Sequence, residues 1–410
     1  MLEDTRHTLF TLAQSARCSA LPLCLALLLA MAASLADPQR AHAQAPAAPR
    51  VVRGLVVLVE FPDVRHQLTR EQAALRFNGH LNRYVREMSG DAVSLEVDVS
   101  PAWSVLPRPI GQYRISPRNL EVDKGRVMGL IEDALDTVGP GVDLGQYSFI
   151  ALMLGAKMHE YGMVGLCGYP GMLGWATQEV FTTKGGRRVR GGVAIFTSQA
   201  HLGTLFHDVA HILGGVKDGK RAAPCLYDHD LQAQPGPPLE VFTRSLINMG
   251  YWDPMSCHFY QRQLPPPGVS SWTRLRLGWL DASKVRTVMP GHTEEVLLGP
   301  LNDPSARTLA VRIPLSPTSY YLVENRPPLG FDKNLPGSGV LVMLADDTLA
   351  ECRHGKAPVR LMPADPCAPQ LTGAAYDAGL RNTFLDATNK LKIQVLENLS
   401  GSFRIRISPL

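Results

Sequence analysis

The chain has 410 residues, of which 45% are hydrophobic and 19% are charged. This is an ordinary globular composition, and a chain of this length can bury a substantial core in two domains or in one large domain. The formal net charge is only +4 and no dense basic run occurs, so we expect no nucleic-acid partner.

The first 43 residues have the pattern of an export signal. Basic residues precede an apolar run from Leu21 to Leu35, and Ala41-His42-Ala43 offers the small residues that a signal peptidase reads. We therefore expect a secreted or periplasmic protein, with a signal peptide at 1–43 and a Pro/Ala linker at 44–50. No later stretch is long and apolar enough to cross a bilayer, which argues against stable membrane insertion.

Residues 51–284 alternate between strand and helix patterns. Continuous apolar runs predict strands that are buried on both faces, the alternating run Val93–Val99 predicts a half-buried strand, and apolar residues at helical spacing predict amphipathic helices. The predicted strands are Val51–Phe61, Val93–Val99, Tyr147–Leu154 and Val193–Thr197, and the predicted helices are Thr69–Met88, Glu121–Val138 and Val269–Trp279. A glycine-rich stretch, 155–174, and a polar irregular stretch, 218–239, separate some of these elements. The interleaving predicts an α/β fold around a twisted central sheet.

From about residue 285 the pattern changes to short alternating runs without a long helix. The runs are Glu295–Leu298, Thr308–Ile313, Tyr320–Glu324, Gly339–Leu344, Leu391–Val395 and Phe403–Ile407. They predict a β-rich, sandwich-like domain at 285–410, packed on a first domain at 51–284.

The stretch from Gln199 to Gly214 is a predicted helix with two histidines four positions apart. On a helix this spacing places His207 and His211 on one face, where both imidazoles can reach one metal ion. It is the HExxH arrangement of zinc peptidases with one change, because Asp208 stands where those enzymes have glutamate. The pair alone is a weak signal, since two helix histidines can also be satisfied within a core.

Further segments strengthen this interpretation. The chain carries, in order, LVVLVEFPD at 55–63, WDPMS at 252–256, RLRLGWL at 274–280, and YYLVENRPPLGFDKNLPGSGVLVML at 320–344. Together with the histidine helix they resemble the immune inhibitor A family of secreted zinc metallopeptidases, from about Val52 to the end of the chain. The resemblance implies a metzincin-like fold, with a twisted sheet, an active-site helix and a methionine-bearing turn beneath the metal.

The resemblance also implies roles for single residues. His207 and His211 carry over as zinc ligands, Asp208 as the general base, and Met255 as the methionine of the turn below the histidines. Glu324 to Arg326 match a motif in the β-rich part, and a buried structural ion pair or a role at the cleft fits them equally well.

The third zinc ligand is left open by the sequence. The metzincin pattern places it ten residues after the first histidine, and Lys217 at that position is an unsuitable ligand. Asp218, one place further, is our leading candidate, because Gly214-Gly215 could absorb the shift as a bulge. The alternatives are other acidic residues and a histidine of the same region, namely Asp228, His229, Asp230 and Glu240.

Asp208 raises a second question, which concerns catalysis. Aspartate is one methylene shorter than glutamate, so its oxygens retreat by about 1–1.5 Å from the attacking water. A displacement of about 1 Å can cost on the order of 100-fold in rate. The sequence therefore supports two hypotheses: a zinc endopeptidase acting on proteins or peptides, and a catalytically impaired relative that acts as a binding or scaffold protein. We expect a monomer in either case.

Five cysteines follow the signal segment. In an exported protein disulfides are expected, and the spacing favours Cys352–Cys367 and then Cys225–Cys257, which leaves Cys167 unpaired. Structural calcium is common in exported peptidases, but the acidic residues form no recognised calcium loop.

Overall fold

The structure is a computed structural model, and it describes residues 49–174 and 179–410, without the side chains of residues 179–181. The predicted signal peptide at 1–43 and nearly all of the predicted linker lie outside these ranges. Among the described residues, no helix combines the length and the apolar character that crossing a bilayer requires.

The α-helices are mostly short, and several of them lie in the predicted amphipathic segments. They are α1 (Arg70–Ala74), α2 (Asn82–Met88), α3 (Lys124–Asp136), α4 (Met158–Tyr161), α5 (Leu202–Gly214), α6 (His229–Gln232), α7 (Pro238–Arg244) and α8 (Ser271–Leu277). A π-helical segment, Leu75–Leu81, joins α1 to α2, so the predicted helix at 69–88 is continuous but changes its winding. Single 3₁₀ turns lie at Ile110–Gln112, Asn119–Glu121, Leu144–Gln146, Ala282–Lys284, Gly330–Asn334 and Pro369–Leu371.

A six-stranded sheet forms the first half of the fold. Its strands are β1 (Arg50–Glu60), β2 (Val93–Val99), β3 (Ser104–Val105), β4 (Phe149–Leu154), β5 (Gly165–Tyr169) and β8 (Gly192–Thr197). Their order is β2-β1-β4-β8-β5, with β3 also beside β1. All pairs are parallel except β5 with β8, which makes β5 an antiparallel edge strand.

This sheet is covered on both faces, as the continuous apolar runs predict. Along β1, Val56 and Leu58 join the apolar cluster that contains α5, whereas Leu55 and Val57 join the cluster that contains α3. Successive strand residues point to opposite faces, so one strand contributes to both clusters.

The outer edge of β2 is saturated by side chains from the helical segment beside it. The backbone N–H groups of Val93, Leu95 and Val97 donate to Ser89 Oγ, Asn82 Oδ1 and Asn78 Oδ1 at 3.0, 2.8 and 3.0 Å. The carbonyl of Val97 accepts from Asn78 Nδ2 at 2.9 Å. These are the strand groups that face away from β1, and an unpaired edge would leave them open to another chain.

Two sheets make up the second half, and their strand pairs are antiparallel except for β11 with β13, which is parallel. One has the order β11-β13-β14-β15-β16 and the other β12-β19-β18-β17. Their strands are β11 (Val285–Thr287), β12 (Glu294–Leu298), β13 (Ala310–Pro314), β14 (Ser319–Arg326), β15 (Gly339–Asp346), β16 (Val359–Leu361), β17 (Thr383–Asp386), β18 (Leu391–Leu399) and β19 (Ser402–Pro409). Buried residues of both sheets share one apolar cluster, in agreement with the predicted sandwich.

The first of these two sheets is also covered on its other face. Leu322 and Leu341 belong to the cluster that contains α5 and Met255, while their neighbours Val323 and Val340 belong to the sandwich cluster. Residues 48–410 form one compact unit. The boundary that the sequence suggests near residue 284 stays a prediction.

The remaining elements lie in segments that the sequence analysis left irregular. β5 falls inside the glycine-rich stretch, and α6 falls inside the polar stretch before residue 239. Two small hairpins also occur, β6 (Glu179–Thr182) with β7 (Arg188–Arg190), and β9 (Val216–Lys217) with β10 (Lys220–Arg221). The predicted helices and strands are otherwise confirmed within a few residues, and the fold is a mixed α/β structure with several sheets.

Candidate metal centre

Helix α5 carries the two histidines and lies against the six-stranded sheet. It begins after His201, whose ring accepts a hydrogen bond from the N–H of Gly203, and it ends before Gly215, which has a φ of 65°. Almost all its residues are buried, because the sheet packs on one side and the second half of the molecule on the other. Its histidines therefore have fixed surroundings.

Both histidines are oriented by backbone carbonyl groups. His207 Nδ1 lies 3.0 Å from the carbonyl oxygen of Pro254, and His211 Nδ1 lies 2.6 Å from that of Ala223. A carbonyl oxygen can only accept a hydrogen bond, so each Nδ1 carries the proton and each Nε2 keeps a free lone pair. This is the arrangement by which metal-binding histidines are commonly held.

The third donor at this centre is a cysteine. Cys225 Sγ lies 3.5 Å from His207 Nε2 and 3.4 Å from His211 Nε2. Within the described ranges, this trio is the group of histidine, cysteine or acidic residues whose donor atoms all lie within 4.8 Å of one another. The exposed fraction of the three residues is 3% for His207, 1% for His211 and 4% for Cys225.

The distances between these donor atoms fit a zinc ion. With bonds of about 2.3 Å to sulfur and about 2.0–2.1 Å to nitrogen at tetrahedral angles, a zinc ion holds its sulfur and nitrogen ligands about 3.5–3.6 Å apart. Imidazole and thiolate are also the ligand types that suit zinc, whereas calcium requires hard oxygen donors. The donor set thus fits zinc in both spacing and chemistry.

Charge at the centre favours the thiolate. Burial raises the pKa of the Cys225 thiol, but interactions with His211, Arg221 and His207 outweigh it and lower this pKa well below its usual range. Burial, followed by the charge of Arg221, lowers the pKa of His211 to about 4, so this imidazole is neutral near pH 7. A thiolate and a neutral imidazole are the forms that bind metals.

The segment that carries Cys225 is tied to the turn below the histidines. The N–H of Leu226 donates to the carbonyl oxygen of Met255 at 2.8 Å, and the hydroxyl of Tyr227 accepts from Asn119 Nδ2 at 3.0 Å. Ala223, as described, accepts from His211. The position of Cys225 is therefore fixed by hydrogen bonds of Ala223, which precedes it, and of Leu226 and Tyr227, which follow it.

Met255 lies in this turn. It is fully buried in the same apolar cluster as α5, and its N–H donates to Asp253 Oδ1 at 2.8 Å. Asp253 Oδ2 accepts from the N–H and the hydroxyl of Ser270 and from the hydroxyl of Thr273. One carboxylate thus links the turn to the first residues of α8.

Asp208 is buried beside the edge strand and is not a member of the donor group. A Cβ atom built on Gly165 of β5 would lie only 2.7 Å from Asp208 Oδ2, so glycine at this position makes room for the carboxylate. Burial raises the pKa of Asp208 to about 7, although the charge of His207 opposes this shift. The side chain follows the first histidine but packs towards β5.

The structure does not bring Asp218 to the histidines. Asp218 is exposed, at the tip of the β9–β10 hairpin, with a φ of 51°. This hairpin carries the chain away from the end of α5, and the chain returns to His211 at Ala223. The donor atom that reaches the histidines is therefore Cys225 Sγ, which follows the hairpin. The structure thus places Cys225, and not Asp218, beside the two histidines.

The alternative ligands also lie elsewhere. Asp228 caps α6 by accepting from the N–H groups of Asp230 and Leu231. Asp230 pairs with Arg353 at 3.3 Å, and Glu240 is exposed. His229 is buried against the ring of Tyr227, with ring centroids 5.1 Å apart. The signal that could have found Cys225 is its residue type, since cysteine is itself a common zinc ligand.

The predicted disulfides are not present among the described residues, where all five cysteines are free thiols. Cys225 faces the histidines, and the Cys257 thiol donates to the carbonyl oxygen of Phe259 at 3.2 Å. Cys352 is buried while Cys367 is exposed. Both predicted pairs therefore fail because their members have different surroundings.

The Glu324–Arg326 motif lies behind the turn and forms a closed ionic cluster with Asp332. Arg326 contacts Asp332 through two hydrogen bonds, at 2.8 and 2.7 Å, and Glu324 at 2.8 Å, and all three side chains are fully buried. Arg326 also donates to the carbonyl oxygen of Trp252 at 3.3 Å. The motif supports the turn from behind and corresponds to the structural alternative.

Aromatic side chains surround the donor atoms on the remaining side. The ring of Tyr227 stacks on His207 with centroids 5.9 Å apart, and the ring of His258 lies 4.7 Å from that of His207. Phe242 of α7 contacts both Tyr227 and His258, at 5.7 and 6.1 Å. The centre is therefore enclosed by side chains.

Comparisons with known proteins give little further information. No family model matches the sequence, and no curated protein matches it. Among solved structures, metalloproteinase-II from Bacteroides fragilis is similar, with 12% sequence identity and a TM-score of 0.31, over 56% of this chain. The alignment covers 52% of that chain, about half its length. Likeness at this level does not establish a shared fold, and the immune inhibitor A resemblance stays a prediction.

Proposed function

We propose that this protein is a secreted or periplasmic zinc-dependent endopeptidase, in which His207, His211 and Cys225 hold the ion and Asp208 is the general base. The observation that carries the proposal is the convergence of two free imidazole nitrogens and one sulfur at the spacing of zinc ligands. Three protein ligands leave one position for water or substrate, as catalytic zinc sites do.

The chemistry divides between the ion and the chain. A bound zinc ion supplies a Lewis acid that polarises a peptide carbonyl and lowers the pKa of water. The Asp208 carboxylate accepts a proton from the attacking water as its oxygen bonds to the carbonyl carbon. Asp208 then gives that proton to the amide nitrogen when the C–N bond breaks. The carbonyls of Pro254 and Ala223 keep both histidines in the tautomer that binds metal.

A second candidate is the catalytically impaired relative. It is favoured by the near-complete burial of the donor residues and by the position of Asp208 against Gly165. In that case the ion stabilises the fold, and the protein binds partners without hydrolysing them.

Metal analysis and a hydrolysis assay separate the two candidates. We expect purified protein to contain about one zinc ion, and wild type to hydrolyse casein while His207→Ala does not. Asp208→Glu lengthens the side chain by one methylene, which gives the glutamate of the HExxH arrangement. We expect the rate to rise by up to about 100-fold, because the carboxylate oxygens move by about 1 Å.

Activity that appears only in Asp208→Glu would identify an impaired peptidase. Protein without bound zinc would contradict the proposal altogether. The matched control is Asp218→Ala, which removes an exposed carboxylate outside the donor group and should leave both zinc content and activity unchanged.

A further inference from the structure

The turn that carries Met255 also brings a third histidine to the centre. His258 follows Met255 by three residues, and its ring lies 4.7 Å from the ring of His207. Its side chain does not belong to the group of three donor atoms. The proposed function leaves this histidine without a role.

The backbone of His258 is fixed against α5. A Cβ atom built on Gly203 would lie 2.0 Å from the carbonyl oxygen of His258, so the close approach requires glycine in the helix. One residue further along α5, Thr204 Oγ1 lies 3.1 Å from His258 Nδ1. Two adjacent helix residues thus set the position of both the backbone and the ring.

The other ring nitrogen has no hydrogen-bond partner. His258 Nε2 is buried, and nothing in the described part of the chain donates to it or accepts from it. A buried polar atom without a partner costs free energy, and in native proteins it usually has a specific reason. Here the atom lies on a ring that contacts a ligand histidine, which points to a bound molecule as the missing partner.

The contact with Thr204 suggests which nitrogen carries the proton. The threonine hydroxyl can rotate to donate to Nδ1, and the proton of a neutral imidazole then resides on Nε2. In this form Nε2 is a donor and can meet an acceptor such as a carbonyl oxygen. The surrounding side chains, Phe242 and His207, leave the ring little freedom to turn away.

We propose that His258 is a catalytic residue whose Nε2–H donates a hydrogen bond to the carbonyl oxygen of the bound substrate. This inference rests on the proposed function, because it assigns a contact to the substrate of the same site. The negative charge on that oxygen grows during attack by water, so the hydrogen bond strengthens as the reaction proceeds. The proton stays on His258 throughout, and no covalent bond to the ring forms or breaks.

Acetohydroxamate, a small metal ligand with a carbonyl oxygen, tests the contact without turnover. We would titrate it into cobalt-substituted protein and follow the visible absorption of the ion. In His258→Ala we expect affinity for acetohydroxamate to fall by about 10–100-fold, the loss of one hydrogen bond to a charged group. In His258→Gln, whose amide N–H can donate, we expect part of the affinity to return.

Two further variants control for structure. His258→Phe keeps a ring between His207 and Phe242 and should bind acetohydroxamate as weakly as His258→Ala, with an unchanged or higher melting temperature. His229→Ala removes another buried histidine whose Nε2 has no partner but whose ring contacts Tyr227. It should bind acetohydroxamate within about 2-fold of wild type, since we expect no contact with the probe.

The outcomes separate this inference from the proposed function. Unchanged acetohydroxamate affinity in His258→Ala would overturn the inference, whether or not wild type hydrolyses casein. Loss of cobalt affinity in the same variant would also overturn it, because the ring would then be a fourth metal ligand. A wild type that binds acetohydroxamate through His258 but hydrolyses nothing would support the contact and contradict the peptidase. Protein that binds neither zinc nor cobalt would contradict both.

Discussion

Two buried polar clusters lie on either side of the turn that carries Met255, and they are built in opposite ways. In the ionic cluster, every charge of Glu324, Arg326 and Asp332 faces a partner within the chain. In the candidate metal centre, the donor atoms of His207, His211 and Cys225 all lie within 4.8 Å of one another.

The contrast indicates what each cluster requires. Lone pairs that converge in a buried place repel one another unless a cation lies between them, whereas paired charges need nothing further. The ionic cluster is therefore complete in the folded chain, whereas the donor cluster could hold a metal ion. Three changes test this difference, and the first has the largest expected effect.

Arg326→Met should have the largest effect, because it leaves the carboxylates of Glu324 and Asp332 buried without a partner. We expect the free energy of unfolding to fall by about 3–5 kcal/mol, measured by chemical denaturation. The triple variant with Glu324→Gln and Asp332→Asn added has no buried charge in this cluster. Its free energy of unfolding should fall by less than that of Arg326→Met alone.

The matched control for this variant is Arg406→Met. Arg406 pairs with Glu295 at the surface, where the two side chains are 43% and 39% exposed, and such pairs contribute about 0–1 kcal/mol. If Arg326→Met were as stable as this control, Arg326 would not be the partner on which the buried charges of Glu324 and Asp332 depend.

Cys225→Ala should have the next largest effect, and it acts on metal affinity. Loss of one of three ligands is expected to weaken zinc binding by at least about 100-fold, measured by competition with a chromophoric chelator. Cys352→Ser removes a buried thiol outside the donor group and should bind zinc like wild type. If Asp218→Ala weakened zinc binding and Cys225→Ala did not, the third ligand would be Asp218 and not Cys225.

Addition of zinc should have the smallest effect on stability. It should act through the donor cluster and not through the ionic cluster. A free zinc concentration ten times the dissociation constant stabilises the folded protein by about 1.4 kcal/mol, seen as a higher melting temperature than in a chelator. Arg326→Met should show the same increment, because its metal centre is unchanged. An equal increment in Cys225→Ala would mean that the ion binds elsewhere.

The sequence predicts one half of the metal centre and not the other, for a physical reason. His207 and His211 are close because helical geometry alone brings them together, and Met255 could be placed by resemblance. Cys225 reaches them only because the β9–β10 hairpin turns the chain outwards and the Leu226–Met255 hydrogen bond brings it back. Those are tertiary contacts, and no spacing rule contains them.

The same distinction holds for the fold. β1 and β4 were predictable because their burial on both faces gives continuous apolar runs. β5 was not, since its sequence GLCGY is short and begins with a glycine that makes room for Thr204 and Asp208 of α5. Cys225 is also expected in a disulfide from the sequence, because export favours the pairing of cysteines.

One feature at the far edge of the six-stranded sheet affects how the protein behaves among its own copies. Ser89, Asn82 and Asn78 occupy the outward N–H groups of β2, so this border offers no template on which a second chain could extend the sheet. Strand addition is thereby blocked on that side by three polar side chains of the chain itself.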